Sequence, residues 1–124
     1  MRTAPPAPII YFHGTADQVV PFRGGQPQGE DVNLPAVPVA MAEWAEHNGC
    51  RADSVQKVGK DVTLREWTDC QAGADVEYYR VRGGGHTWPG AAELIADAIE
   101  PQLGKTTQSV DASRLMWEFF QNYQ

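Results

Sequence analysis

The stretch Gly83-Gly84-Gly85-His86-Thr87-Trp88-Pro89-Gly90, taken with His13-Gly14-Thr15-Ala16-Asp17, decides how this chain is to be read. Each follows a short run of apolar, β-branched and aromatic residues, Pro8-Ile9-Ile10-Tyr11-Phe12 before the acid and Val76-Glu77-Tyr78-Tyr79-Arg80-Val81 before the histidine. Runs of that kind predict strands, so both ionisable side chains should sit just past strand ends. Loops at the carboxyl ends of strands are where open α/β sheets place their chemistry. An acid on one such loop and a histidine on a later one make two thirds of a Ser-His-Asp triad, in the chain order where the nucleophile comes first. The nucleophile is missing. Ser54, Ser109 and Ser113 are the only serines, none lies in a Gly-x-Ser-x-Gly turn, and Ser113 falls in the first turn of an expected helix.

Working outward, the organisation reads as α/β with short elements. The Pro-rich start, residues 1–7, predicts an extended linker, and Ile9 to Phe12 predicts a strand buried on both faces because no polar residue interrupts it. Residues Pro21 to Asn33 carry Gly24, Gly25, Gly29 and Pro27 and predict a loop. Val37, Met41, Trp44 and Ala45 recur at helical spacing, with Asn33 or Pro35 near the start and Asn48-Gly49 as the stop, predicting a helix that ends near His47. Val62 to Trp67 alternates, Asp69 to Ala74 supplies a turn, and Val76 to Val81 follows, which together predict a hairpin. Ala91 to Ile99 suits a short helix stopped before Pro101. Asp111 is a good N-cap for a helix whose Met116, Phe119, Phe120 and Tyr123 fall on one face beside Leu115.

The pattern His13-Gly14-Thr15-x-Asp17-x-Val19-Val20-Pro21, Trp44-Ala45-x-x-Asn48-Gly49-Cys50, Trp67-x-x-Cys70, the Gly83 to Gly90 run and Asp111-Ala112-Ser113-x-x-x-Trp117-Glu118-Phe119-Phe120 resembles the C-terminal part of the secreted esterase family that holds feruloyl esterases and polyhydroxybutyrate depolymerases. The resemblance runs in order from about Pro8 to Phe120. It implies the C-terminal portion of an α/β-hydrolase fold, with parallel strands, an added hairpin and flanking helices, and with the nucleophile half absent. Residues 1–124 would then be a single partial domain. It also implies hydrolysis of carboxylic esters without a cofactor, an extracellular parent family, and an inactive chain unless the missing half is supplied.

On position alone, an Asp in the Thr-Ala-Asp-Gln turn caps local backbone N–H groups. The resemblance instead makes Asp17 the acid that orients the imidazole of His86, and His86 the general base and then acid. Trp88 either walls an acyl pocket or packs under its loop. His13 is expected to help position the Asp17 loop, and His47 to meet a helix C-terminus. No His or Cys spacing supports a metal site. Cys50 and Cys70 permit one intrachain pairing, with two buried thiols as the alternative, and the resemblance implies the disulfide.

Composition limits the other classes. At 124 residues the chain can bury one modest core, and 42% hydrophobic against 21% charged residues marks a sequence that packs. The 16 acids outnumber 10 bases that are spread along the chain, which disfavours nucleic acid as a partner. No apolar run reaches bilayer length, and residues 1–7 lack the apolar core of a signal peptide. An uncovered edge on the first strand would favour pairing with the missing half or self-association. The competing class is a non-catalytic module that binds a partner or a carbohydrate through Trp88 and the Gly-rich loop.

Overall fold

The computed structural model describes residues 4–27 and 31–123. One four-stranded sheet is built from β1 (Ile9–Gly14), β2 (Ala52–Lys57), β3 (Val62–Thr68) and β4 (Val76–Val81), in the order β1-β4-β3-β2. β1 runs parallel to β4, from Ile9 opposite Val76 to Gly14 opposite Val81, while β4, β3 and β2 are antiparallel neighbours. Residues 1–3 of the expected linker and 28–30 of the expected loop lie outside the described residues.

The alternation of β4 sets up two layers. Val76 and Tyr78 face helix α1 (Val37–His47), whose Val37, Met41 and Ala45 pack with Trp67 into one core cluster. Tyr79 and Val81 face the other way and join Val62 and Leu64, with Phe12, Val110 and Leu115 against them. Leu115 belongs to α3 (Ala112–Gln121), which Asp111 caps by accepting from the Arg114 backbone N–H at 3.2 Å. A helix therefore lies on each face of the sheet. Tyr123, just past α3, donates its hydroxyl to the Gly73 carbonyl at 2.9 Å and accepts from the Asp75 N–H, tying the last residues to the β3–β4 turn.

Four sequence expectations need correction. Ile9 to Phe12 packs on both faces, Ile9 and Tyr11 against one cluster and Ile10 and Phe12 against the other, but each stays half-buried, since β1 has β4 as its one neighbour among the described strands and forms an edge. Trp44 points outward, edge-on to His47, leaving Ala45 as the inward residue of that turn. Helix α2 (Glu93–Leu103) continues through Pro101. Most of α2 is exposed, so water can satisfy the carbonyl that the proline nitrogen leaves without a partner. On α3, Phe119 is buried whereas Phe120 and Trp117 are exposed, so the inward face is centred on Ala112, Leu115 and Phe119.

Asn48 does more than stop α1. Fully buried, it donates its amide to the Ala7 and Ala74 carbonyls at 2.7 and 3.1 Å and accepts from the Ala7 N–H at 3.2 Å. It thus joins the start of β1 to the turn before β4. Two residues on, Cys50 is bonded to Cys70, a sequence separation of 20 that fastens the end of α1 to the same turn. Closing a loop of that size contributes about 3 kcal/mol in the chain-entropy account. Reduction should lower the urea-unfolding free energy by that order, measured with and without reductant.

A like-charge pair opposes this stability. Glu66 and Glu77 are direct partners across β3 and β4, and Tyr79 donates its hydroxyl to Glu77 at 3.2 Å. Partial burial, and then the facing Glu66 carboxylate, push the Glu77 carboxyl up to about 7. The folded chain therefore holds a proton that the unfolded chain has released once pH exceeds about 4.3. This contribution to stability is complete below that value and is lost as pH rises through about 7. Thermal melts across this window should show a falling Tm, and Glu77→Gln should flatten the slope.

Candidate active site

β1 and β4 are parallel neighbours, so the loops that follow them leave the same end of the sheet side by side. Contacts between the loops begin at once. The backbone N–H groups of Thr15 and Ala16 donate to the Val81 and Gly84 carbonyls, each at 2.9 Å, and the Gly83 N–H donates to the Thr15 hydroxyl at 2.8 Å. Such proximity requires glycine at two positions. A Cβ on Gly14 would fall 2.1 Å from the Gly84 carbonyl oxygen, and one on Gly85 would fall 2.0 Å from the Leu103 carbonyl oxygen. The latter contact brings in the C-terminus of α2. Gly85 and His86 donate their N–H groups to the Lys105 and Leu103 carbonyls at 2.9 and 2.7 Å, so the end of α2 forms a floor under the histidine.

The Asp17 carboxylate divides its oxygens between two tasks. Oδ1 accepts from the backbone N–H groups of Val19 and Val20, both at 2.8 Å, which is the local cap expected of an Asp in a turn. Oδ2 lies 3.0 Å from His86 Nδ1, across 69 residues of sequence. Since the carboxylate can only accept, Nδ1 carries the proton and Nε2 is left as the ring's free acceptor. The Asp17 side chain is 4% exposed and that of His86 46%, so the acid is enclosed and the base reaches solvent. No hydrogen bond forms at His86 Nε2 among the described residues.

His13 stands on the other side of the carboxylate. It is buried, its Nε2 lies 2.9 Å from the Val20 carbonyl and 3.4 Å from Asp17 Oδ2, and its Nδ1 lies 2.8 Å from the Tyr11 hydroxyl. Burial, with the Asp17 charge in second place, raises the Tyr11 pKa, which keeps its proton in place. The sequence marked His13 as an aid to the loop, whereas nothing in it singled out Tyr11 or the Leu103 to Lys105 segment. The one available signal for Tyr11 was its spacing of two from His13, which puts both on one face of β1.

Tyr11, Phe12, Val20, His86, Trp88 and Leu103 are among the residues that line an open cleft of about 440 Å³ at this end of the sheet. Trp88 is 45% exposed, donates its indole N–H to the Ser113 hydroxyl at 3.0 Å, and lies tilted against Phe12. Its other side borders an apolar groove with Met116, Trp117 and Phe120 of α3. Ser113 is thereby engaged with Trp88, and Ser54 lies on β2, the strand farthest from β1. Among the described residues, no three His, Cys, Asp or Glu side chains converge as a metal would require, and no helix is long and apolar enough to cross a membrane.

No family model matches the chain. It is similar to a protein named feruloyl esterase B from Piromyces equi, with 34% identity over 89 residues. That alignment takes in 68% of this chain and 16% of the relative, so the chain spans about a sixth of the protein it matches. The similarity supports an esterase-family relationship. The sheet and its flanking helices are compatible with a hydrolase part.

Proposed function

We propose that this chain is the C-terminal part of an α/β-hydrolase serine esterase, providing Asp17 and His86 as the acid and base of a triad whose serine lies outside these 124 residues. The observation that carries the reading is the 3.0 Å contact between Asp17 Oδ2 and His86 Nδ1, with Nε2 left open to the cleft. In the reaction, His86 Nε2 takes the proton of the serine hydroxyl as its oxygen attacks the ester carbonyl. Asp17 stabilises the imidazolium so formed, which then protonates the departing alcohol. In the second half, His86 takes a proton from water as that water attacks the acyl-enzyme, then returns it to the serine oxygen as the bond to the acyl group breaks, which releases the carboxylic acid and restores serine and neutral imidazole.

A carboxylic ester is the substrate class, with feruloyl or polyhydroxyalkanoate esters as candidates on the resemblance. Trp88, half-exposed beside His86, is placed to wall the acyl or alcohol site. The Cys50–Cys70 bond fits an oxidising compartment and hence a secreted parent protein.

The test compares hydrolysis of p-nitrophenyl acetate and methyl ferulate by the chain alone and by the chain joined to an upstream esterase half that carries a Gly-x-Ser-x-Gly turn. The chain alone should be inactive above the buffer rate, and the joined protein should be active. Enzymatic turnover by the chain alone, or an assembled protein whose activity ignores loss of His86, would overturn the proposal. Binding of a carbohydrate or partner without any such turnover would support the module reading.

A further inference from the structure

We infer that Tyr11 and His13 form a positioning pair that holds the Asp17 carboxylate in register with His86. The inference rests on the acid–base reading above and adds two residues that act through Asp17. Three observations combine to give it. The Val20 carbonyl can only accept, so the 2.9 Å contact with His13 Nε2 requires the proton on Nε2. In the neutral ring, Nδ1 is then an acceptor, and the Tyr11 hydroxyl at 2.8 Å donates to it. Finally, the same Nε2–H lies 3.4 Å from Asp17 Oδ2, the oxygen that receives His86.

These contacts close a ring. Asp17 Oδ1 holds the Val20 N–H, and His13 holds the Val20 carbonyl, so both polar groups of Val20 are gripped from the two ends of one turn. The carboxylate cannot rotate about its Cβ–Cγ bond without leaving the Val19 and Val20 N–H groups. Nor can it move toward β1, because the imidazole occupies that side. Its remaining direction of acceptance points at His86 Nδ1. Tyr11 acts one step earlier, since a hydroxyl hydrogen donated to Nδ1 disfavours the tautomer that would turn a lone pair toward Val20 and Asp17.

The tautomers can be read from imidazole nitrogen shifts of the chain itself, above the usual histidine titration range, with no need for the serine. The wild-type chain should show His13 as the Nε2–H form and His86 predominantly as the Nδ1–H form. His13→Phe should turn His86 to the Nε2–H form as its major species, His13→Gln should restore Nδ1–H because its amide donates from nearly the same place, and Tyr11→Phe should lie between. Near-UV circular dichroism checks that each variant folds. Wild-type His13 in the Nδ1–H form overturns the inference whether or not the variants fold, as does an unchanged His86 tautomer in folded His13→Phe. Asp17→Asn separates the two levels: if it moves the His86 tautomer and His13→Phe does not, the positioning pair alone fails, and if neither moves it, the acid–base reading fails as well.

Discussion

In the assembled enzyme, His86→Ala and Asp17→Asn should each lower kcat on the order of 10⁴-fold, while the melting temperature moves little. The two losses arise differently. His86→Ala removes the proton carrier, and because the ring is nearly half exposed, its truncation opens no enclosed cavity. Asp17→Asn keeps an oxygen that can accept from the Val19 and Val20 N–H groups, so the turn survives. The amide nitrogen then faces His86 Nδ1 and donates to it, which puts the ring's proton on Nε2 where the acceptor must be. Steady-state kinetics on methyl ferulate, with melts of the same samples, would check both. A kcat within tenfold of wild type for either variant would contradict the assigned roles.

Gly85→Ala should be strongly damaging for so small a substitution, costing about 2–4 kcal/mol and separating His86 from Asp17. The added carbon would meet the Leu103 carbonyl oxygen at 2.0 Å and the Gly104 Cα at 2.6 Å, both backbone atoms that no rotamer change can clear. Relief requires the loop to lift off the end of α2, breaking the 2.7 Å bond from the His86 N–H to Leu103. Gly83→Ala is the control. A Cβ there meets nothing within 4 Å, and the φ of +75° makes the cost one of backbone conformation alone, about 1 kcal/mol. Urea-unfolding midpoints would rank the two, and equal midpoints would mean that the α2 floor is unimportant.

Much of the frame was legible because its residues obey one pattern at a time. The apolar run at Ile9 to Phe12, the alternation of Val62 to Trp67 and the spacing of Val37, Met41 and Ala45 each announced an element that the structure contains. The resemblance joins Asp17 to His86, whose Oδ2 and Nδ1 lie 3.0 Å apart in the structure. β2 escaped notice because all six of its residues are exposed and Val55 is the one large apolar side chain among them. It is held by backbone pairing with β3, which leaves no mark on side-chain pattern. The floor under His86 was hidden for a related reason, since it consists of carbonyl groups of Leu103 and Lys105 whose identity any residue could supply. Tyr11 read as one more strand aromatic. Its role depends on a hydroxyl direction set by a neighbour two residues away, and on a tautomer that composition cannot express.

The parallel pairing of β1 with β4 carries a consequence for how such a catalyst can be assembled. The relative placement of carboxylate and imidazole is settled within two adjoining strands, by contacts that cross from one loop to the other and by the end of α2. On the proposed reading, whatever brings the serine would have no internal adjustment left to make in this part. It would need to dock as one solid piece against another, so errors in assembly would show as a misplaced hydroxyl in front of an intact acid–base pair. A catalyst divided in that way would have a single joint to align, and its acid–base chemistry could be studied on one side of that joint.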